Sequence, residues 1–144
     1  MELVKNFQSQ KILKYFLITI FGSVILTISS KIQTPYSPVP ATMQTFAVLL
    51  LGISLGYKLA VASVILYLFE GLIGLPVFAK GGGYMYLAGP TSGYLIGFIL
   101  GAYFSGLEKK FKDPILTFVY LLISVFFIYL IGLIWLWIFI GIDK

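Results

Sequence analysis

Two glycine-rich stretches are where the residue types of this chain invite chemistry: Lys80-Gly81-Gly82-Gly83 and Gly89-Pro90-Thr91-Ser92-Gly93. Amides freed by glycine can cradle phosphate, but neither stretch ends in the Gly-Lys-Ser/Thr of a P-loop. Tight turns and close helix approach are the better account of these glycines. The chain has no His and no Cys, and its ten basic residues are all Lys. Imidazole bases, thiolate nucleophiles, disulfides and Cys/His metal centres are therefore excluded together. No HExxH, no paired intramembrane aspartates and no Ser–His combination occurs. The expectation is a protein that is not an enzyme and needs no cofactor.

One acid interrupts an apolar run: Glu70, in ILYLFEGLIGL. At 1.5 Å per helical residue it lies roughly 18 Å from Lys58. A carboxylate at that depth reads as functional by default. A position near the interface, protonated or paired with Lys80, is the competing reading. Thr19, Ser23 and Thr27 recur every four residues and form one small polar stripe on the first apolar run. Such a stripe packs helices inside a fold or docks a second membrane subunit. Tyr84, Tyr86 and Tyr94 stand ready to stack on a flat ligand or to anchor at an interface.

The elements that position these residues follow from composition. The 144 residues are 60% hydrophobic and 10% charged, with a mean hydropathy of +1.03. Soluble domains carry about 25% charged residues, so lipid is the expected solvent. The length suits a single domain, 1–144. Apolar runs fall at 12–30, 43–55, 59–75, 91–107 and 115–140. A spanning helix needs about 20 residues, with about 17–25 the usual range. The first and last runs qualify easily, the third and fourth barely. The second is short enough to be interfacial or re-entrant, or to lengthen into Gly56-Tyr57. The first run lacks an A-x-A-like cleavage site and reads as a retained span, not a signal peptide.

Lysine placement sets the orientation. With the N-terminus in the cytoplasm, Lys5, Lys11, Lys14, Lys58, Lys109, Lys110 and Lys112 fall inside, and Lys31, Lys80 and Lys144 fall outside. That bias obeys the positive-inside rule. It also explains the net charge of +5 without nucleic acid. Two irregular segments, 31–42 and 76–90, then share the outer face. Non-helical backbone at membrane depth must be bonded within the protein or line a wet cavity, so the pair suits a cup, though plain external loops fit as well. Pro35, Pro38 and Pro40 stiffen the first segment.

The ordered set Pro38-Val39-Pro40-Ala41-Thr42-Met43-Gln44-Thr45, Leu50-Leu51-Gly52, Leu55-Gly56, Tyr67, Gly71, Gly74-Leu75-Pro76-Val77-Phe78, Gly81-Gly82-Gly83 and Gly89-Pro90-Thr91-Ser92-Gly93-Tyr94 resembles the BioY family. These are the biotin-specific substrate-binding components of energy-coupling factor (ECF) transporters. The resemblance extends over the flanks from about Lys14 to Gly141. It implies an all-α integral membrane protein, a helical bundle with six spans in the family and about five here. Such a protein captures biotin from outside the cell membrane. It docks on a transmembrane coupling protein bound to two cytoplasmic ATPases, and reorients to release the vitamin. The family docks through a small-residue first helix, which favours Thr19, Ser23 and Thr27 as the docking stripe.

Biotin presents a ureido ring, an apolar bicycle and a carboxylate, and each polar group left unpaired would cost about 1–3 kcal/mol. Gln44 both donates and accepts. The amides of Gly81, Gly82 and Gly83 donate without bulk, Tyr84 and Tyr94 supply walls and hydroxyls, and Lys80 is the candidate partner of the carboxylate. Family members continue into a sixth helix with a Gly-Asp…Lys motif, which Gly141-Ile142-Asp143-Lys144 does not match. The expectation is thus a truncated chain. Rival readings are a structural or assembly subunit, a non-transporting fragment, or a transporter of another small vitamin. An autonomous channel would need internal repeats or a polar path that the sequence lacks.

Overall fold

A computed structural model describes residues 1–34, 41–107 and 113–142. Pro35, Pro38 and Pro40, the lysines at 109, 110 and 112, Asp143 and Lys144 lie outside the described residues.

The apolar runs become helices α1 (Glu2–Lys31), α2 (Gln44–Leu55), α3 (Tyr57–Leu72), α5 (Ser92–Leu107) and α6 (Pro114–Ile142). A single turn, α4 (Tyr84–Leu87), lies between α3 and α5. Among the described residues the only strands are β1 (Gln33–Thr34) and β2 (Ala41–Thr42), an antiparallel pair closing the first irregular segment at its base. The sequence carried no alternation that would have announced this pair.

α1 and α6 are long enough to cross a bilayer, and their most apolar 18-residue stretches have mean hydropathies of 2.0 and 2.6. Only 22% and 17% of their most apolar stretches are buried inside the protein, so these are not the core helices of a soluble fold. Phe16, Phe21, Phe118, Phe126 and Trp137 all face outward. Apolar surface on that scale requires lipid. The molecule is an all-α integral membrane protein.

α2 does not lengthen past Gly56; its 12 residues rise about 18 Å, short of the ~30 Å hydrocarbon core. It instead packs across α5, with Val48 against Gly101 and Gly52 against Ser105. The core gathers around Leu26, Val48, Leu51, Val64, Tyr67, Phe78, Phe98 and Ile128.

α5 and α6 form the most extensive helix pair. Gly93, Gly97 and Gly101 recur every four residues and lay a bare strip of α5 against α6. A Cβ at Gly97 would sit 3.0 Å from the Ile128 backbone, and one at Gly93 would meet Trp135. Without a hydrophobic drive between helices in lipid, such backbone-to-backbone packing holds them together.

Candidate ligand-binding site

The two irregular segments meet at one end of the bundle. Ser30 Oγ at the end of α1 shares its one proton between the carbonyls of Thr27 (2.6 Å) and Val77 (2.8 Å), Lys31 Nζ donates to that of Phe78 (2.6 Å) and Gln33 Nε2 to that of Ala79 (2.7 Å). On the far side of the bundle, the Trp135 indole on α6 donates to the Gly89 carbonyl at 2.9 Å. Among the described residues, these carbonyls of the second irregular segment are thus bonded within the protein, as membrane burial demands.

Beneath these segments lies a cavity of about 250 Å³. Thr42, Gln44 and Thr45 line it from β2 and α2, Ala79 and Tyr86 from the second segment, Thr91, Tyr94, Leu95 and Phe98 from the start of α5, and Tyr129 from α6. No Lys, Asp or Glu contributes to this wall among the described residues. Hydroxyls, one carboxamide and aromatic faces suit a small, flat, mainly neutral polar head.

Gln44 is held in place. It is 4% exposed and its Nε2 donates to the Tyr67 hydroxyl at 2.6 Å. Tyr67 passes its own proton to the Val77 carbonyl at 3.0 Å. Thr42 Oγ1 donates to Gln44 Oε1 and accepts from the Gln44 amide, both at 3.3 Å. A neutral amide with its orientation fixed from behind still has capacity left for a ligand. The aromatic wall is also supported. Tyr67 meets the buried Phe78 ring edge-on at 5.4 Å, and Phe78 stacks on Tyr86 at 4.8 Å. Tyr94 and Tyr129 face each other edge-on across the α5–α6 seam at 5.9 Å.

Of the residues expected from the sequence, Gln44 and Tyr94 line the cavity. Tyr84 is 67% exposed and points away, while Tyr86, two positions on, takes the wall. Lys80 is exposed beside the buried Ala79 and lies outside the cavity lining. Two of the three glycine amides are spent within the fold. Gly81 N donates to the Phe78 carbonyl and Gly83 N to that of Gly71. Gly81 (φ +130°) and Gly83 (φ +95°) hold backbone conformations that side chains resist, and a Cβ on Gly82 would run into the Leu75 carbonyl. The triple glycine folds the segment back on itself.

The polar stripe on α1 is divided. Ser23 is fully buried against α3 and donates to Glu70 Oε2 at 2.6 Å. Thr19 and Thr27 sit at its edges, bonded to the carbonyls of Tyr15 and Ser23. As a contact for a partner, Ser23 is ruled out by its burial. Glu70 takes its hydrogen bond from Ser23, and no pairing with Lys80 is seen among the described residues.

Tyr86, which the sequence offered with Tyr84 and Tyr94 as a ring that could stack on a flat ligand, is on the wall; Thr42, Thr45, Ala79, Thr91, Leu95, Phe98 and Tyr129 were not singled out from the sequence as ligand contacts. Thr91, Tyr94, Leu95 and Phe98 follow the i, i+3, i+4, i+7 spacing of one helix face, a signal that could have found them. Tyr129 lies in a helix apolar all round, where periodicity points nowhere.

The sequence model of the BioY family matches residues 4–144. A probable biotin transporter BioY of Pyrococcus horikoshii is 39% identical over 83% of this chain and 72% of its own length. The biotin transporter BioY of Thermotoga maritima is 46% identical over 61% of this chain and 54% of its own. The crystal structure of the S-component for biotin from an ECF-type ABC transporter superposes with a TM-score of 0.75 at 29% identity. That match covers 88% of this chain and 73% of that one. The chain thus spans from about half to about three quarters of the proteins it matches.

Proposed function

Because the chain belongs to the BioY family, we propose that it is the biotin-binding membrane subunit of an ECF-type transporter and that the cavity is its biotin site. The observation that carries this reading is the neutral wall of Gln44, Thr42, Thr45, Thr91, Tyr86, Tyr94 and Tyr129 beneath two bonded irregular segments. A ureido ring needs donors and acceptors without full charges, and a bicycle needs aromatic faces. The biotin transporters among its relatives supply the ligand's identity.

Within the same reading, the cavity end faces outward and the N-terminus lies in the cytoplasm, the arrangement favoured by the lysine bias. The partners are a transmembrane coupling protein and two cytoplasmic ATPases, which supply the hydrolysis for which this chain has no motif. Docking falls to the exposed apolar face of α1 around Phe21 and Val24, with Thr19 and Thr27 at its margin.

Titration of the purified protein in lipid nanodiscs with biotin, and with an equal series of thiamine and riboflavin, tests the assignment. Saturable binding of biotin alone supports it. Binding of another vitamin in preference would redirect it to that ligand, and binding of none would leave a structural subunit as the better reading.

A further inference from the structure

The three carbonyls of Val77, Phe78 and Ala79 are consecutive, and each is capped by a side chain from one short piece of chain, Ser30, Lys31 and Gln33. Their own side chains are buried. Ala79 forms part of the cavity wall, and Phe78 backs Tyr86, which forms another part. Residues 77–79 have no helix to satisfy them; besides the Phe78–Gly81 bridge, the Val77 amide on the Leu75 carbonyl, the Tyr67 bond to Val77 and the packing of the Phe78 ring, what holds them is the piece of chain from the end of α1 into β1. The Val77 carbonyl receives both Ser30 from α1 and Tyr67, whose hydroxyl in turn accepts from Gln44. One oxygen therefore joins the end of α1 to the most deeply held polar group of the cavity.

We propose that Ser30, Lys31 and Gln33 are a positioning clasp, through which the end of α1 sets the place of Ala79, Tyr86 and Gln44 in the cavity wall. Displacing the end of α1 against α3 would draw on three carbonyls at once and shift two sides of the cavity together. Occupancy of the cavity would by the same linkage bias the position of α1. The structural part stands on the geometry alone. The effect on ligand rests on the biotin reading above.

Lys31 and Gln33 are exposed, so replacing them leaves the core intact. The chain has no cysteine, so Lys80→Cys gives a single nitroxide site next to the clasped carbonyls and outside the cavity lining. In nanodiscs, Lys31→Met with Gln33→Leu should raise the label's mobility, and on the unlabelled background should weaken biotin about tenfold, the loss of one net hydrogen bond or slightly more. Lys31→Arg, which keeps a cationic donor, should hold both readouts near wild type. An unchanged label in the double variant would overturn the clasp. A mobile label with unchanged biotin affinity would overturn its control of the cavity. If wild type binds no biotin, the functional reading fails, and the label alone decides for or against the clasp.

Discussion

Ser23 on α1 donates a 2.6 Å hydrogen bond to Glu70 on α3 from a position with no exposure at all. The one acid in an apolar run is thereby tied to the one stripe residue that turned inward. α1 and α3 also touch where Gly22 meets Ser63, so the bond sits within a tight helix contact with little room to rearrange.

Removing the donor should be felt as stability. Ser23→Ala leaves the carboxyl without its partner and should cost about 1–3 kcal/mol, read as a lower melting temperature in detergent. Glu70→Gln keeps an acceptor and should cost less. Ser23→Trp should unfold the contact and abolish biotin binding together with any co-purifying partner. If the Trp variant kept biotin and lost only the partner, Ser23 would have to face outward.

A second prediction separates Tyr86 from Lys80. Tyr86→Ala removes an aromatic wall and should weaken biotin by more than about 1 kcal/mol, as buried aromatic contacts do. Lys80→Ala should change affinity little, and equally for biotin and an uncharged biotin amide, because Lys80 lies outside the cavity lining. A selective loss for the acid would put the lysine back in the site.

Gln44 offers a third. Gln44→Leu deprives the Tyr67 hydroxyl of its donor and the ligand of a carboxamide, and should cost about 1–3 kcal/mol of binding. Tyr67→Phe keeps Gln44 but frees it from behind, and should give a smaller loss. Calorimetric titration of both variants orders the effects; the reverse order would mean that Gln44 acts only as a support.

The fourth concerns the buried ring behind the wall. A Cβ at Gly71 would fall inside the Phe78 ring. Gly71→Ala should therefore disturb the Tyr67–Phe78–Tyr86 stack and destabilise by about 1–3 kcal/mol, the usual cost of overpacking, measured as a shift in thermal unfolding. An unchanged melting point would show that the stack gives way without loss.

The fifth checks orientation. A cysteine at Tyr84 should react with an impermeant thiol reagent from outside intact cells, and one at Lys58 should not. Both side chains are exposed, at opposite ends of the bundle. Reaction at Lys58 alone would invert the topology. Gly82 is unsuited to this experiment, since any side chain there meets the Leu75 carbonyl.

The helices were legible in the sequence because runs such as 12–30 and 115–140 are too apolar for any solvent but lipid. Gln44, a lone carboxamide at the head of an apolar run, and Tyr94, an aromatic beside a glycine turn, stood out as candidates, and both are on the cavity wall. Lys80 and Tyr84 fall outside the cavity lining, where Ala79 and Tyr86 stand. In an irregular segment no period of 2 or 3.6 says which side chains turn inward; long-range bonds from α1 decide it. The triple glycine looked like a set of free donors, yet the amides of Gly81 and Gly83 are taken up by the carbonyls of Phe78 and Gly71, which no local pattern announces. Ser23 shared its stripe with Thr19 and Thr27, and only the position of α3 separates them.

The bare seam between α5 and α6 has a consequence for selectivity. Tyr94 and Tyr129 face each other across it at the cavity, while one turn deeper Gly97 lies against the backbone of Ile128, the residue before Tyr129. The gap between the two tyrosines is gauged by the thickness of a glycine outside the cavity lining. A single methyl group at 97 would act as a shim and spread the rings apart. The aperture of this cavity could therefore be retuned toward a bulkier guest without altering any residue in its lining.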